Sequence, residues 1–273
     1  MPSDNLCVFE SLDGQITPAV QQAIALAQSS GSHLSLVAAV RLAHAPSSMV
    51  ASSLVSGAIN TANDQARDLA RRAIKIAEDA ARIAGANCTT SLHEDSLTGI
   101  AEWIGHRARV ADMTIVDRPN SMVDGPQVFF EDALFASGRP VLIATPDHCS
   151  KSVKRLAIAW NGSRVAARAL GDALALFPSA SKVDVIVVTD EKQKGVPGAE
   201  VTQHLARRGL DANLVNVTRG DSISDTINAV ALQHEADVIV MGGFGHSRLR
   251  EFILGGVTRE LTSIAKLPLF LSH

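Results

Sequence analysis

Cysteine is scarce in this 273-residue chain: Cys7, Cys88 and Cys149 are odd in number and far apart. That spacing fits neither a zinc site nor a disulfide framework, and it suits a reducing compartment, the cytoplasm. Histidine is more frequent, with nine residues. None lies in an HxxxH or HxH pair, and none sits beside a cysteine at ligand spacing, so no resident metal is expected. Residues 1–5 lack a basic stretch leading into an apolar one, so no secretory signal is expected. No run approaches the ~18 apolar residues of a membrane span. There is no long basic run, and the formal net charge of −3 points away from nucleic acid and anionic membranes as partners. Catalytic signatures are missing too: there is no GxSxG around Ser163, no P-loop lysine and no paired carboxylates.

What the chain does have is apolar mass and a repeat. Hydrophobic residues are 46% and charged residues 19%, enough for a large core and against disorder. LCVFESLDG at Leu6–Gly14 matches LAIAWNG at Leu156–Gly162, and SHLSLVAAV at Ser32–Val40 matches SKVDVIVVT at Ser181–Thr189. Asp95-Ser96-Leu97 then matches Asp221-Ser222-Ile223, Ala111-Asp112 before MTIV matches Ala236-Asp237 before VIVM, and Pro140-VLIA matches Pro268-LFLS. Five matches in one order indicate a duplicated unit. The spacing between matched blocks shrinks by roughly two dozen residues after the second pair. The first half therefore carries an insertion around Pro46–Gly57, expected to lengthen the following helix.

The matched blocks are short β-branched or apolar runs, as buried parallel strands are. Helical patterns separate them: Ile16–Ser29, Ala58–Ala84 ending at Gly85, and runs capped by Ser96 and Ser222. Alternation of strand and helix predicts two tandem α/β units with doubly wound parallel sheets. They are expected at residues 1–147 and 154–273, with a polar linker, DHCSKSVK, between them.

Ligands of such sheets sit at the carboxyl ends of strands, where the strand order reverses. After Val238–Met241 the second half reads GGFGHSRLREFILGGVTREL, with glycines at 242, 243, 245, 255 and 256. Glycines let the backbone approach a ligand, and a glycine pair opening a helix presents free N–H groups to a phosphate. A glycine cluster alone is equally compatible with a tight turn and a helix cap. The first half reads DRPNSMVDGPQVFFEDALFASGRP at the same place and has no glycine pair.

Gly242-x2-Gly245-x9-Gly255 resembles the ATP loop of the universal stress protein family, and the resemblance runs through the chain twice. It implies a five-stranded parallel, Rossmann-like sheet of the adenine-nucleotide α-hydrolase type in each half, and pairing of the two halves about a pseudo-two-fold axis. It implies further that Ala159, Trp160 and Asn161 hold adenine and that Val188 lines the same pocket. Met241, Gly242 and Gly245 would contact base and ribose, and Gly255, Gly256, Val257 and Thr258 the phosphates. Asn161 stands where the family often has Asp, and Gly256 where a Ser or Thr follows the third glycine. His246, Ser247, Arg248 and Arg250 lie in the spacer. A solvated helix face accounts for them, with Arg248 the residue best suited to neutralise phosphate.

The expectation is a regulatory, stress-response protein binding ATP (or AMP or ADP, with any Mg²⁺ brought by the nucleotide) in its second half. The first half would serve as a partner domain, and any ATP hydrolysis would be slow. Two alternatives stand beside it. One is a nucleotide-using enzyme of the same superfamily, and the other a structural module that has lost nucleotide binding. The halves could satisfy one another within a chain, or two chains could pair.

Overall fold

The computed structural model describes residues 3–44, 53–120, 124–189, 198–243 and 256–273. The first half runs β1 (Asp4–Phe9), α1 (Pro18–Ser30), β2 (His33–Arg41), α2 (Ser53–Ala84), β3 (Asn87–Asp95), α3 (Leu97–Ala108), β4 (Met113–Asp117), α4 (Gly125–Ser137) and β5 (Val141–Ala144). The second repeats the order with β6 (Arg155–Ala159), α5 (Arg164–Leu176), β7 (Lys182–Thr189), α6 (Ala199–Arg207), β8 (Asp211–Thr218), α7 (Ile223–Gln233), β9 (Val238–Gly242), α8 (Gly256–Ile264) and β10 (Leu269–Ser272). The extra residues of the first half do lengthen a helix, since α2 has 32 residues where α6 has 9.

Each half is a parallel sheet of order 3-2-1-4-5, but the two sheets are continuous. Strands run β3-β2-β1-β4-β5-β10-β9-β6-β7-β8, with every neighbouring pair parallel except β5 with β10. There Leu269, Phe270 and Leu271 face Ile143, Leu142 and Val141 in antiparallel register. Both strands are buried along their whole length, as short apolar strands in mid-sheet should be.

Helices cover both faces, and their apolar sides form two cores that each run through both halves. One core joins α1, α2, α5 and α6 to residues such as Cys7, Phe9, Ile158 and Phe270. The other joins α3, α4, α7 and α8 to Leu6, Val8, Ile239 and Leu271. Odd and even residues of β1 thus serve opposite faces, the period-two rule for strands. The helix starts follow from local chemistry. Ser96, Ser163 and Ser222 accept the backbone N–H of Gly99, Ala166 and Asp225 through their side chains. Helix α1 begins two residues later than its periodicity predicts, because Pro18 takes the first turn, where no backbone donor is needed. Among the described residues no helix is long and apolar enough to cross a membrane.

Candidate functional site

In the second half the strand order reverses between β9 and β6, and Met241 and Ala159 are Cα partners at the carboxyl ends of those strands. Beyond them the described part of α8 begins at Gly256. Of the sequence-derived site residues, Met241 lies in the core under α7 and α8, and Ala159, Val188 and Val257 pack against that same core. Trp160 packs against the opposite core, with its backbone N–H donating to Ile186 O at 2.9 Å. The fold therefore gathers Ala159, Val188, Met241 and Val257 on one side and puts the indole on the other. Thr258 is buried on α8, and Ser224 on α7 donates its hydroxyl to Val257 O at 3.2 Å, fixing the first turn of that helix. Gly245, Arg248 and Gly255 lie outside the described residues.

Three backbone details qualify the residue roles. Asn161 is exposed, and its Oδ1 accepts the N–H of Ser163 at 3.1 Å, closing an Asx turn ahead of α5. Asp13 makes the same turn in the first half, accepting from Gln15 at 2.9 Å. Residue 161 thus has a local duty that either Asp or Asn fulfils, and its carbonyl keeps a second lone pair. Gly242 is bare for a packing reason: a Cβ there would lie 2.6 Å from both Ala166 N and Val165 C of α5. Gly256 is different, because a Cβ there meets no atom of the described residues within 4 Å.

The first half fills the equivalent ground with its own carboxylates. The repeat sets Asp117 of β4 at the position of Gly242. Asp117 Oδ1 accepts the N–H of Ala19 at 2.9 Å, capping α1, whose Thr17 makes no side-chain cap bond. Burial pushes the Asp117 carboxyl up to about 6, against the pull of the Ala19 N–H. At α4, the counterpart of α8, Asp124 is the cap, accepting from Gln127 at 2.8 Å and from Asn120 at 2.7 Å. Glu10, which follows β1, reaches the same helix start, where a Cβ on Gly125 would collide with its Oε2. Arg41 pairs with Glu10 at 3.4 Å, yet burial still holds that carboxyl above its ordinary range. Helix N-termini favour anions, and here the protein supplies them. Among the described residues no group of three or more acidic, His or Cys side chains could hold a metal ion.

Sequence reasoning found the absence of a glycine pair in this half but missed Glu10 and Asp117. Each directly follows an apolar strand run, at the strand end where a ligand would sit, and that placement was the available signal.

Comparison with known proteins agrees with the fold. The family model described as the universal stress protein family matches residues 152–273. No curated protein sequence matches the chain. Among solved structures, a universal stress protein from Archaeoglobus fulgidus superposes with a TM-score of 0.71 at 14% identity, covering 98% of this chain and 95% of that one. A functionally unknown protein from Pseudomonas aeruginosa gives 0.53 at 17% identity, with 99% and 92% covered. The cytoplasmic domain of a prokaryotic cation chloride cotransporter gives 0.50 at 11%, with 99% and 95% covered. One architecture thus serves in proteins of different kinds, and the fold alone does not set the function. Residues 152–273 thus match the universal stress protein family model, and the whole chain carries a tandem α/β fold similar to that of a solved universal stress protein.

Proposed function

We propose that the second half binds one adenine nucleotide per chain and that the protein acts as a stress-response regulator rather than as a dedicated catalyst. The observation that carries this reading is the contrast between the halves at one position in the repeat. The second half meets the crevice with glycine at 242 and carries Gly256 at the first described residue of α8. The first half meets it with Asp117 and crowds α4 with Asp124 and Glu10. Phosphates carry the same charge as those carboxylates and would be repelled there, whereas a helix start without such carboxylates would offer them N–H groups. In this reading Ala159, Val188 and Met241 face the base, and Gly256, Val257 and Thr258 face the phosphates. A bound nucleotide would bring its own Mg²⁺, and the protein's part is to hold and orient. Residues 1–147 and 154–273 act as the two units, the first as partner to the second.

Calorimetric titration of the intact chain with ATP and Mg²⁺ tests this. The expected stoichiometry is one. Two sites would overturn the reading of the first half. No saturable binding of ATP, ADP or AMP, with no nucleotide in native mass spectra, would reduce the second half to a structural module.

A further inference from the structure

Gly243 directly follows β9 and is buried. Both polar groups of its backbone are satisfied by residues at the end of β10. Its N–H donates to Ser272 O at 2.8 Å, and its carbonyl accepts from His273 Nδ1 at 3.0 Å. A carbonyl can only accept, so Nδ1 of His273 carries the proton. The first half walls the same spot. A Cβ on Gly243 would lie 3.0 Å from Leu134 Cδ2 of α4. Phe135, next along α4, meets the His273 ring edge to face, with centroids 5.0 Å apart and planes at 79°. A polar route joins the same elements: Arg168 of α5 donates to the carbonyl of Gly138, the cap of α4, and pairs with Asp172 at 3.7 Å. Asp172 in turn accepts the Ser272 hydroxyl at 2.8 Å. The end of α4 thus bears on the exit of β9 through Ser272 and His273. The repeat sets Arg118 at the equivalent position of the first half, and its guanidinium instead reaches out across the joint to Ala265 O at 3.0 Å.

We infer that His273 and Phe135 are positioning residues for the nucleotide crevice, through which the first half sets the affinity of the second for its ligand. The inference rests on the reading that the second half binds a nucleotide, and it gives the partner half a duty at that site. Met241 and Gly242 can meet a ligand in one geometry only if the peptide after them is held, and binding sites need placement to within about 0.5 Å. Without the His273 donor the Gly243 carbonyl is left unpaired, and it gains by turning away in search of another partner.

Calorimetric titration of the intact chain with ATP and Mg²⁺, with thermal melts to confirm folding, provides the test. His273→Leu should weaken ATP binding by about tenfold. His273→Asn, whose amide N–H can stand in for Nδ1–H, should restore most of that affinity, whereas a packing role alone would give both variants the same loss. Phe135→Ala removes the ring that holds the imidazole and should weaken ATP to a similar degree; it serves if His273→Leu does not fold. The double variant should lose no more than His273→Leu alone, because both residues act through one hydrogen bond. Unchanged affinity in His273→Leu and Phe135→Ala, or equal losses in the Leu and Asn variants, would overturn this inference and leave the nucleotide reading standing. An unsubstituted chain that binds no ATP would remove both.

Discussion

Gln22 and Ser150 exchange two hydrogen bonds across the chain's midpoint: Gln22 Nε2 donates to Ser150 O at 2.8 Å, and Ser150 N donates to Gln22 Oε1 at 2.9 Å. Both residues are buried, and Ser150 Oγ donates onward to Asp237 O at 2.7 Å. A helix of the first half thus holds the connecting segment as a strand partner would, and the segment in turn holds the entry to β9. Gln22→Leu keeps the volume but strands two buried backbone groups. It should lower stability by about 1–3 kcal/mol, read as a shift of the urea midpoint at unchanged slope.

The second half is expected to depend on the first through β10. Residues 151–273 alone would leave Leu269, Phe270 and Leu271 on a bare edge, an invitation to pair with another copy. Light scattering of that fragment should report dimers or aggregates. A soluble monomer melting at the temperature of the intact chain would contradict this.

Asp117 should make stability depend on pH in an unusual direction. Its carboxyl titrates at about 6 in the folded protein, against 3.8 when unperturbed. Between those values the native state holds more protons than the unfolded chain, so this group's contribution to stability falls as pH rises. Asp117→Asn keeps an acceptor for Ala19 but cannot ionise. At pH 7.5 it should raise stability by about 1–3 kcal/mol, the gain fading toward pH 4. Denaturant melts of both proteins across that range provide the measurement.

Glycines 242 and 256 should respond oppositely to a side chain. Gly242→Ala drives a Cβ into the backbone of α5 and should cost about 1–3 kcal/mol of stability. Gly256→Ser has room and should leave the melting temperature unchanged. If α8 receives phosphate, the new hydroxyl should preserve ATP affinity or raise it by up to about tenfold. Weaker binding by Gly256→Ser would show that its hydroxyl does not face the phosphates.

The repeat made the architecture legible, because buried strands advertise themselves. β1, β2, β4 and their counterparts are flanked by strands on both sides, and β5 and β10 are flanked once they meet. All read as apolar runs. β3 and β8 did not stand out in the same way: NCTTSLHED and DANLVNVT are edge strands whose residues alternate between partly covered and exposed. The continuity of the two sheets is a property of how the halves meet, and no local pattern encodes an antiparallel joint between segments so far apart. Within the candidate site, glycine spacing pointed to the carboxyl end of β9. It could not tell a glycine kept for a ligand from Gly242, which is kept for α5, because the two differ only in what lies opposite the missing Cβ. The Asx turn at Asn161 was hidden for the same reason, since its partner is a backbone N–H.

The antiparallel joint also sets a timetable for synthesis. β5 leaves the ribosome roughly 125 residues before its partner β10, so at 5–20 residues per second the first half waits about 6–25 seconds with an apolar strand uncovered. Every intermediate strand must be made before that edge is closed. During the wait, a neighbouring nascent chain on the same message offers an identical edge. The slower the second half is translated, the longer that apolar edge stays open.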